Sequence, residues 1–390
     1  MPHKSIFSNF ALIGEDLELK QDVFLEIDED GKILEIIYND PDISNITTES
    51  TQNYLLLPGF INSHTHIGDN FAKELGFNKE LVDIVAPPFG LKHKLLRKTP
   101  ETVKIKGIQI AVLEMLSNGI TFFIDFREEG VEGLNLLRKA LMESPINYML
   151  LGRFMDESEI ESIFELADGM GLSSYKQITS INKKLIIEAK QKFNKIIACH
   201  CAENTRNINL INDMFNDDFI DVIIHATKFI KDDLEEVISK SKSVVLCPRS
   251  NGYFGVGFPP INEIIKLKIP ISLGTDNTMV NNTDLFEEIR YLYRISRILC
   301  NYNKELQLTS KDLLKMVTIN AAKNFHLENK LGTISKGKFA DIFLIDLSHS
   351  NLFSTNLDSN NIYDLITQRT KSENIIKTYI KGEVVFERRE

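Results

Sequence analysis

The chain has 390 residues, 43% of them apolar and 26% charged, with a formal net charge of −10. That length can bury a large core as two or three domains, or as one barrel with an appendage, in a composition ordinary for soluble globular proteins. The acidic balance, without a local basic cluster, excludes a nucleic-acid surface; no stretch reaches the roughly 20 apolar residues of a membrane span, and no secretory signal follows the N-terminal basic residue.

Residues 1–57 read as short strands and turns, with runs at 23–27 and 32–37 flanking the hairpin turn Asp28-Glu29-Asp30-Gly31. The apolar stretch 54–61 reads as one buried strand closing on Asn62-Ser63-His64-Thr65-His66. Strand side chains alternate faces, so His64 and His66 point the same way, and two neutral imidazoles on one face begin a divalent metal site. Alone, a His-x-His pair is a weak signal. Strand-like runs follow at 121–126, 146–154, 169–174 (the weakest), 195–200, 220–225, 244–248 and 269–276. Helical patterns accompany them at 102–117, 285–299 and 311–325. Eight strands alternating with helices predict a parallel sheet with right-handed crossovers, closed as a (β/α)8 TIM barrel over residues 58–338. The strand-rich ends, 1–57 and 339–390, are expected to pair as one small composite β-sandwich.

In such barrels chemistry sits at the C-terminal ends of the strands. His64 and His66 close the first strand, His200 the fifth, His225 the sixth and Asp276 the eighth, whereas His3, His93, His326 and His349 fall on helices and loops. Five metal-capable side chains at one end of four strands make a strong signal. Cys199 and Cys201 flank His200, so alternation turns them away from the metal into packing. The four cysteines stand in no spaced framework and read as reduced thiols, which makes the cytoplasm the expected setting.

Five pieces carry a resemblance: the run Pro58 to His66, His200-Cys201-Ala202-Glu203, Cys247-Pro248-Arg249-Ser250-Asn251, Leu273-Gly274-Thr275-Asp276-Asn277 running on to Asp284, and Lys338-Phe339-Ala340-Asp341. Over essentially the whole chain the pattern resembles the metal-dependent amidohydrolase superfamily. More narrowly it is similar to the branch of guanine deaminase, methylthioadenosine/adenosylhomocysteine deaminase and triazine chlorohydrolases. The resemblance implies one divalent ion held by His64, His66, His200 and Asp276, with zinc the first choice and Fe2+ or Mn2+ the alternatives. It implies that His225 hydrogen-bonds the reacting water or oxyanion, and that Glu203 lies beside the substrate to move protons. Asp276 would then serve both the ion and the water's proton. A helix cap starting near Thr205 is the plain alternative for Glu203. Lys176, near the fourth strand, keeps open a second ion bridged by a carboxylated lysine.

The implied activity is deamination of an amino-substituted nitrogen heterocycle of purine, pyrimidine or pterin type, by a metal-activated water. Hydrolysis of a cyclic amide, or loss of another leaving group, is the alternative; a catalytically silent barrel is the non-enzyme one. Arg127, Arg249, Asn251 and Glu203 are the candidate substrate contacts, a surface salt bridge being the alternative for Arg127. Residues 80–90 match no ribose-contacting segment, and strand six is reduced to Ile223-Ile224-His225-Ala226-Thr227, so substrate identity does not transfer. The expected partner is a small heterocycle, with no nucleic acid and no membrane; a homo-oligomer is compatible with the sequence.

Overall fold

A computed structural model describes residues 4–38, 53–301, 303–354, 357–358 and 361–388. The strands in chain order are β1 (Lys4–Ile13), β2 (Glu18–Ile27), β3 (Ile33–Ile37), β4 (Tyr54–Pro58), β5 (Phe60–His66), β6 (Ile120–Arg127), β7 (Asn147–Gly152) and β8 (Gly169–Leu172). There follow β9 (Ile196–Cys201), β10 (Val222–His225), β11 (Ser243–Leu246), β12 (Ile271–Leu273), β13 (Asp276–Asn277), β14 (Ile342–Asp346), β15 (Ile375–Ile380) and β16 (Glu383–Glu387).

One sheet, in the order β16-β15-β14-β4-β1-β2-β3, draws its strands from both ends of the chain. It folds over so that β3 meets the segment leading into β14: Gly337 N donates to Ile33 O at 2.8 Å and Ile33 N to Lys338 O at 2.9 Å. Val23, Leu25, Ile27, Ile33, Leu56, Ile342 and Tyr379 fill the space enclosed. Alternating burial along β2, where Val23, Leu25 and Ile27 are buried, explains why these short runs form a one-sided sheet.

The second sheet is parallel throughout, in the order β12-β11-β10-β9-β8-β7-β6-β5-β13. β12 and β13 are two parts of one passage of chain, pairing with β11 and β5 respectively, so the eighth barrel strand closes the ring. Phe122, Ile124, Phe126, Leu151, Ala198, Val222 and Ile224 pack together as one cluster. The alternate positions Phe123, Ile197, Cys199, Cys201 and Ile223 belong to the larger cluster shared with the helices, as alternation predicts for the two cysteines.

Two readings needed correction. The apolar run 54–61 is not one strand: β4 ends at Pro58 in the terminal sheet and β5 begins at Phe60 in the barrel. From Leu55 through β5 the strand residues are all buried, so periodicity carries no mark of the change of sheet. The joint is Gly59, where an added Cβ would lie 2.1 Å from Thr121 Oγ1. The helical pattern 311–325 is two helices, Ser310–Met316 and Ile319–Asn324. The break frees the carbonyl of Val317, which accepts from Ile61 N of β5 at 2.8 Å.

Between β5 and the helix Glu101–Ser117 the chain makes an excursion over the barrel mouth through the short helices Leu81–Val85 and Leu91–Lys98. Ala72, Leu81 and Ile84 of this excursion pack against Phe254, Val256, Met279 and Val280. Among the described residues no helix is long and apolar enough to cross a membrane.

Candidate metal centre

Register brings the strand ends to one level: Ile224 pairs with His200, Asp276 with Thr65 and Asn277 with His66. One ligand-capable atom from each of His64, His200, His225 and Asp276 lies within 4.8 Å of all the others. His66 stands at the edge of this group, its Nε2 3.4 Å from His200 Nε2 and 3.6 Å from Asp276 Oδ1. The rings of His64 and His66 have centroids 4.9 Å apart, as two same-face residues of one strand end require. Close approach at strand eight depends on Gly274, where a Cβ would fall 2.6 Å from His64 Cβ. His225 and Asp276 both have left-handed backbones, φ +72° and +63°, a conformation uncommon outside glycine that turns the chain just where these side chains must converge.

The outer contacts set the tautomers. His66 Nδ1 donates to Phe126 O at 2.9 Å and lies 2.7 Å from Glu128 Oε1; His200 Nδ1 donates to Leu172 O at 2.8 Å. His225 Nδ1 donates to Asn251 Oδ1 at 3.0 Å, and Asn251 Nδ2 to Thr227 Oγ1 at 3.1 Å. Each of these rings therefore turns an unprotonated Nε2 away from its outer partner. Two such lone pairs, on His66 and His200, face each other at 3.4 Å, an arrangement that asks for an electron-pair acceptor between them. His64 adds a second sign, since its buried Nδ1 has no hydrogen-bond partner and its Nε2 faces Asp276 Oδ1 at 3.2 Å. The donor set fits a cation.

The electrostatics agree. Burial pushes His64 and His200 below the usual imidazole range and His66 down to about 3, so the three are neutral near pH 7, as ligands must be. Burial opposes charge on Asp276 too, but its contact with His64 and the fields of His225 and His66 outweigh it and hold the carboxyl well below its usual range. Ser250 Oγ and Asn277 Nδ2 donate to its oxygens at 2.5 and 3.0 Å.

Glu203 lies in the turn after β9, its Oε1 3.6 Å from His225 Nε2. It caps no helix: the next one begins at Ile208, and Asn207 caps it. Burial raises the Glu203 carboxyl, with His225 partly opposing and Asp276 reinforcing the shift. A carboxyl shifted upward in this way gives and takes up a proton more evenly than an ordinary carboxylate.

The remaining sequence candidates separate. Asn251 is fully buried and bonded to His225. Arg127 is neither a surface residue nor open to a ligand; its buried guanidinium pairs with Asp125 and Glu128 beneath Gly68. The guanidinium of Arg249 is taken up by Glu288, Glu287 and the carbonyl of Asn282. Lys176 is exposed on the turn after β8 and lies outside the donor group.

Two residues beside the centre, Lys92 and Asp69, have no signal in the sequence. Lys92 Nζ, buried, donates to Asn277 Oδ1 at 2.7 Å, pairs with Glu128 and lies 3.6 Å from Asp69 Oδ2. Burial pushes Asp69 up to about 7, and Thr278 Oγ1 donates to it at 2.9 Å. This charged patch supports His66 through Glu128. Its lysine comes from the excursion after β5, and no periodicity in the sequence leads that segment to the barrel mouth.

Comparison with known proteins adds family to geometry. A family model described as the Amidohydrolase family matches residues 55–385. An uncharacterized protein of Methanocaldococcus jannaschii is 34% identical over 368 residues, covering 89% of this chain and 91% of that one. A 5-methylthioadenosine/S-adenosylhomocysteine deaminase of Pyrococcus abyssi is 24% identical over 379 residues, covering 89% of this chain and 86% of the other. Among solved structures, an adenosine deaminase of Xanthomonas campestris with bound zinc superimposes with a TM-score of 0.81 at 15% identity, covering 97% of this chain and 92% of that one.

Proposed function

Because the chain belongs to the amidohydrolase family, and with it to the hydrolases of carbon–nitrogen bonds other than peptide bonds, we propose that it deaminates an amino-substituted nitrogen heterocycle. His64, His66, His200 and Asp276 would hold one divalent ion, and three imidazoles with a carboxylate would suit zinc best. When bound, such an ion supplies Lewis acidity and brings a water to hydroxide near neutral pH. Glu203 protonates the ring nitrogen next to the carbon under attack, which draws electron density from that carbon. The resulting carboxylate takes the remaining proton of the attacking oxygen and passes it to the exocyclic amine. That amine leaves as ammonia, and the ring keeps the water's oxygen. His225, its ring fixed by Asn251, presents Nε2 to the incoming oxygen.

The observation that carries this reading is the raised Glu203 carboxyl, 3.6 Å from His225 Nε2 and on the same barrel mouth as the donor set. A hydrolase whose leaving group needs no proton has less use for such an acid. Deaminase names among relatives of the whole chain support the same class. The test is ammonia release by metal-analysed protein across aminopurines, aminopyrimidines and pterins. Ring opening of cyclic amides, or halide release, with no ammonia anywhere in the panel would replace deamination by the alternative leaving-group chemistry. Elemental analysis of the same preparations decides among zinc, iron and manganese.

A further inference from the structure

Beside the donor set, over the ends of β6, β7 and β8, lies a cavity of about 420 Å³ lined in part by His93, Arg97, Glu128, Arg153, Ser174 and Lys176. Its position is not remote from the chemistry. Glu128 is in contact with His66, and the charge of Arg153 bears on His200. In a chain with net charge −10, this lining is locally basic.

Arg153 is the residue that needs explaining. It is 5% exposed, yet its Nε is buried without a hydrogen-bond partner. Arg127 in the adjacent strand pairs with two carboxylates, whereas Arg153 has no ion pair among the described residues. Glu128 is the one carboxylate in the lining, and Lys92, Arg127 and His66 already engage it. Burying a cation short of a counter-charge is unfavourable, and a ligand anion relieves it. Arg97 and Lys176 put two further cations at the rim, both on exposed residues. The Ser174 oxygen accepts from Lys176 N at 3.2 Å, which leaves its hydroxyl hydrogen free to donate into the cavity. A carboxylate is satisfied by one forked guanidinium. Three cations with a hydroxyl match instead a phosphate monoester, with three acceptor oxygens and a charge of about −1.5 to −2 at pH 7.

We propose that this cavity binds the phosphate of a phosphorylated substrate, so that the enzyme acts on the phosphate monoester of an amino-heterocycle, not on the free base or nucleoside. The heterocycle rests on the deamination reading above; the anion site does not. Arg153 grips the phosphate from the buried side, Arg97 and Lys176 close on it from the rim, and the ring reaches back to Glu203.

Two measurements on the full-length, metal-loaded protein test this. The first is calorimetry with inorganic phosphate as the probe. Wild type should bind it, and Arg97→Gln, Lys176→Gln and Arg153→Gln should each weaken binding by about tenfold to a hundredfold. The first two residues are exposed, so their variants keep the test valid even if Arg153→Gln does not fold. No phosphate binding by wild type, or equal affinity in Arg97→Gln and Lys176→Gln, overturns the site. The second compares kcat/KM for ammonia release from phosphorylated and unphosphorylated members of the same heterocycle pairs. Wild type should favour the phosphorylated member strongly, and Lys176→Gln should erode that preference by at least about tenfold. Equal use of both members, or preference for a carboxylated congener, overturns the phosphate assignment. Should phosphate binding depend on Arg97 and Lys176 while no compound yields ammonia, the deamination reading falls and the anion site stands.

Discussion

Each end of the barrel buries an aspartate, and the two have opposite fates. Asp276 closes strand eight at the C-terminal end, 1% exposed; Asp341 lies at the N-terminal end, 7% exposed. Asp341 accepts from Lys381 N at 2.8 Å and Asn147 Nδ2 at 3.0 Å, while its own carbonyl accepts from Gly59 N at 2.8 Å. It thus ties both terminal segments to the start of the barrel, using neutral donors only. Burial pushes its carboxyl up to about 6. At Asp276 the same penalty is overruled by imidazoles, and the carboxyl stays well below its usual range. Burial among neutral donors leaves a carboxyl that takes up a proton near pH 6; burial among metal-capable rings keeps it an anion well below that. The same division, stability at one face and chemistry at the other, is what a parallel barrel imposes.

The sharpest way to break this contrast is to empty the upper end. His200→Ala removes a donor whose Nε2 faces both His66 and the rest of the group, so metal content and turnover should be lost together, the largest effect expected. Elemental analysis and ammonia release on one preparation check it; an active variant with full metal content would remove His200 from the ligand set. Glu203→Gln should act differently. Metal and fold remain, and kcat falls by about 10²–10⁴, the usual worth of a placed acid–base group. Loss of metal in that variant, or unimpaired turnover, contradicts a role confined to proton transfer.

The lower end is tested through stability. The folded-state pKa of Asp341, about 6, lies above its ordinary 3.8, so the folded protein binds the proton more tightly than the unfolded chain. Below 3.8 both states are protonated and the group adds no pH dependence. As pH rises from there through about 6, this aspartate should remove about 3 kcal/mol of stability, a loss complete by neutral pH. Asp341→Asn keeps an acceptor for Lys381 N and cannot ionise. Its denaturant midpoints should therefore vary less between pH 4 and 7 than those of wild type, and be at least as high at pH 7. A steeper pH dependence in the variant would mean that the carboxylate, not the acid, is the stabilising form.

What the sequence revealed and what it hid follow from the same geometry. Residues at strand ends are placed by the ladder: once a run is a barrel strand, alternation and register decide where His64, His200 and Asp276 point, with no need to know any loop. The joint at Gly59 was hidden because the apolar run continues across it from β4 into Phe60 and Ile61 of β5, and a change of sheet leaves no periodic trace. Lys92 was hidden for another reason. It rides on the excursion after β5, whose course over the mouth is set by apolar packing of Leu81 and Ile84 against Phe254 and Met279, residues 170–198 apart in sequence. Arg153 sat in plain view at the end of a strand-like run, yet an arginine there resembles any other. Only its burial without a partner marks it.

Asn251 gives the smallest of these effects and the most discriminating one. Its motif suggests a substrate contact, whereas in the structure its oxygen accepts from His225 Nδ1 and its amide nitrogen donates to Thr227. Asn251→Leu is close in volume but offers no acceptor, so the imidazole loses its fixed tautomer and orientation. Losing such an outer partner typically costs about 10–100-fold in activity. If Asn251 acts through His225, the loss should fall on kcat with KM little changed. Asn251→Asp, which restores an acceptor for Nδ1, should recover most of the lost rate. A rise in KM at constant kcat in Asn251→Leu would reverse the assignment, returning Asn251 to the substrate and leaving His225 to be held by its strand alone.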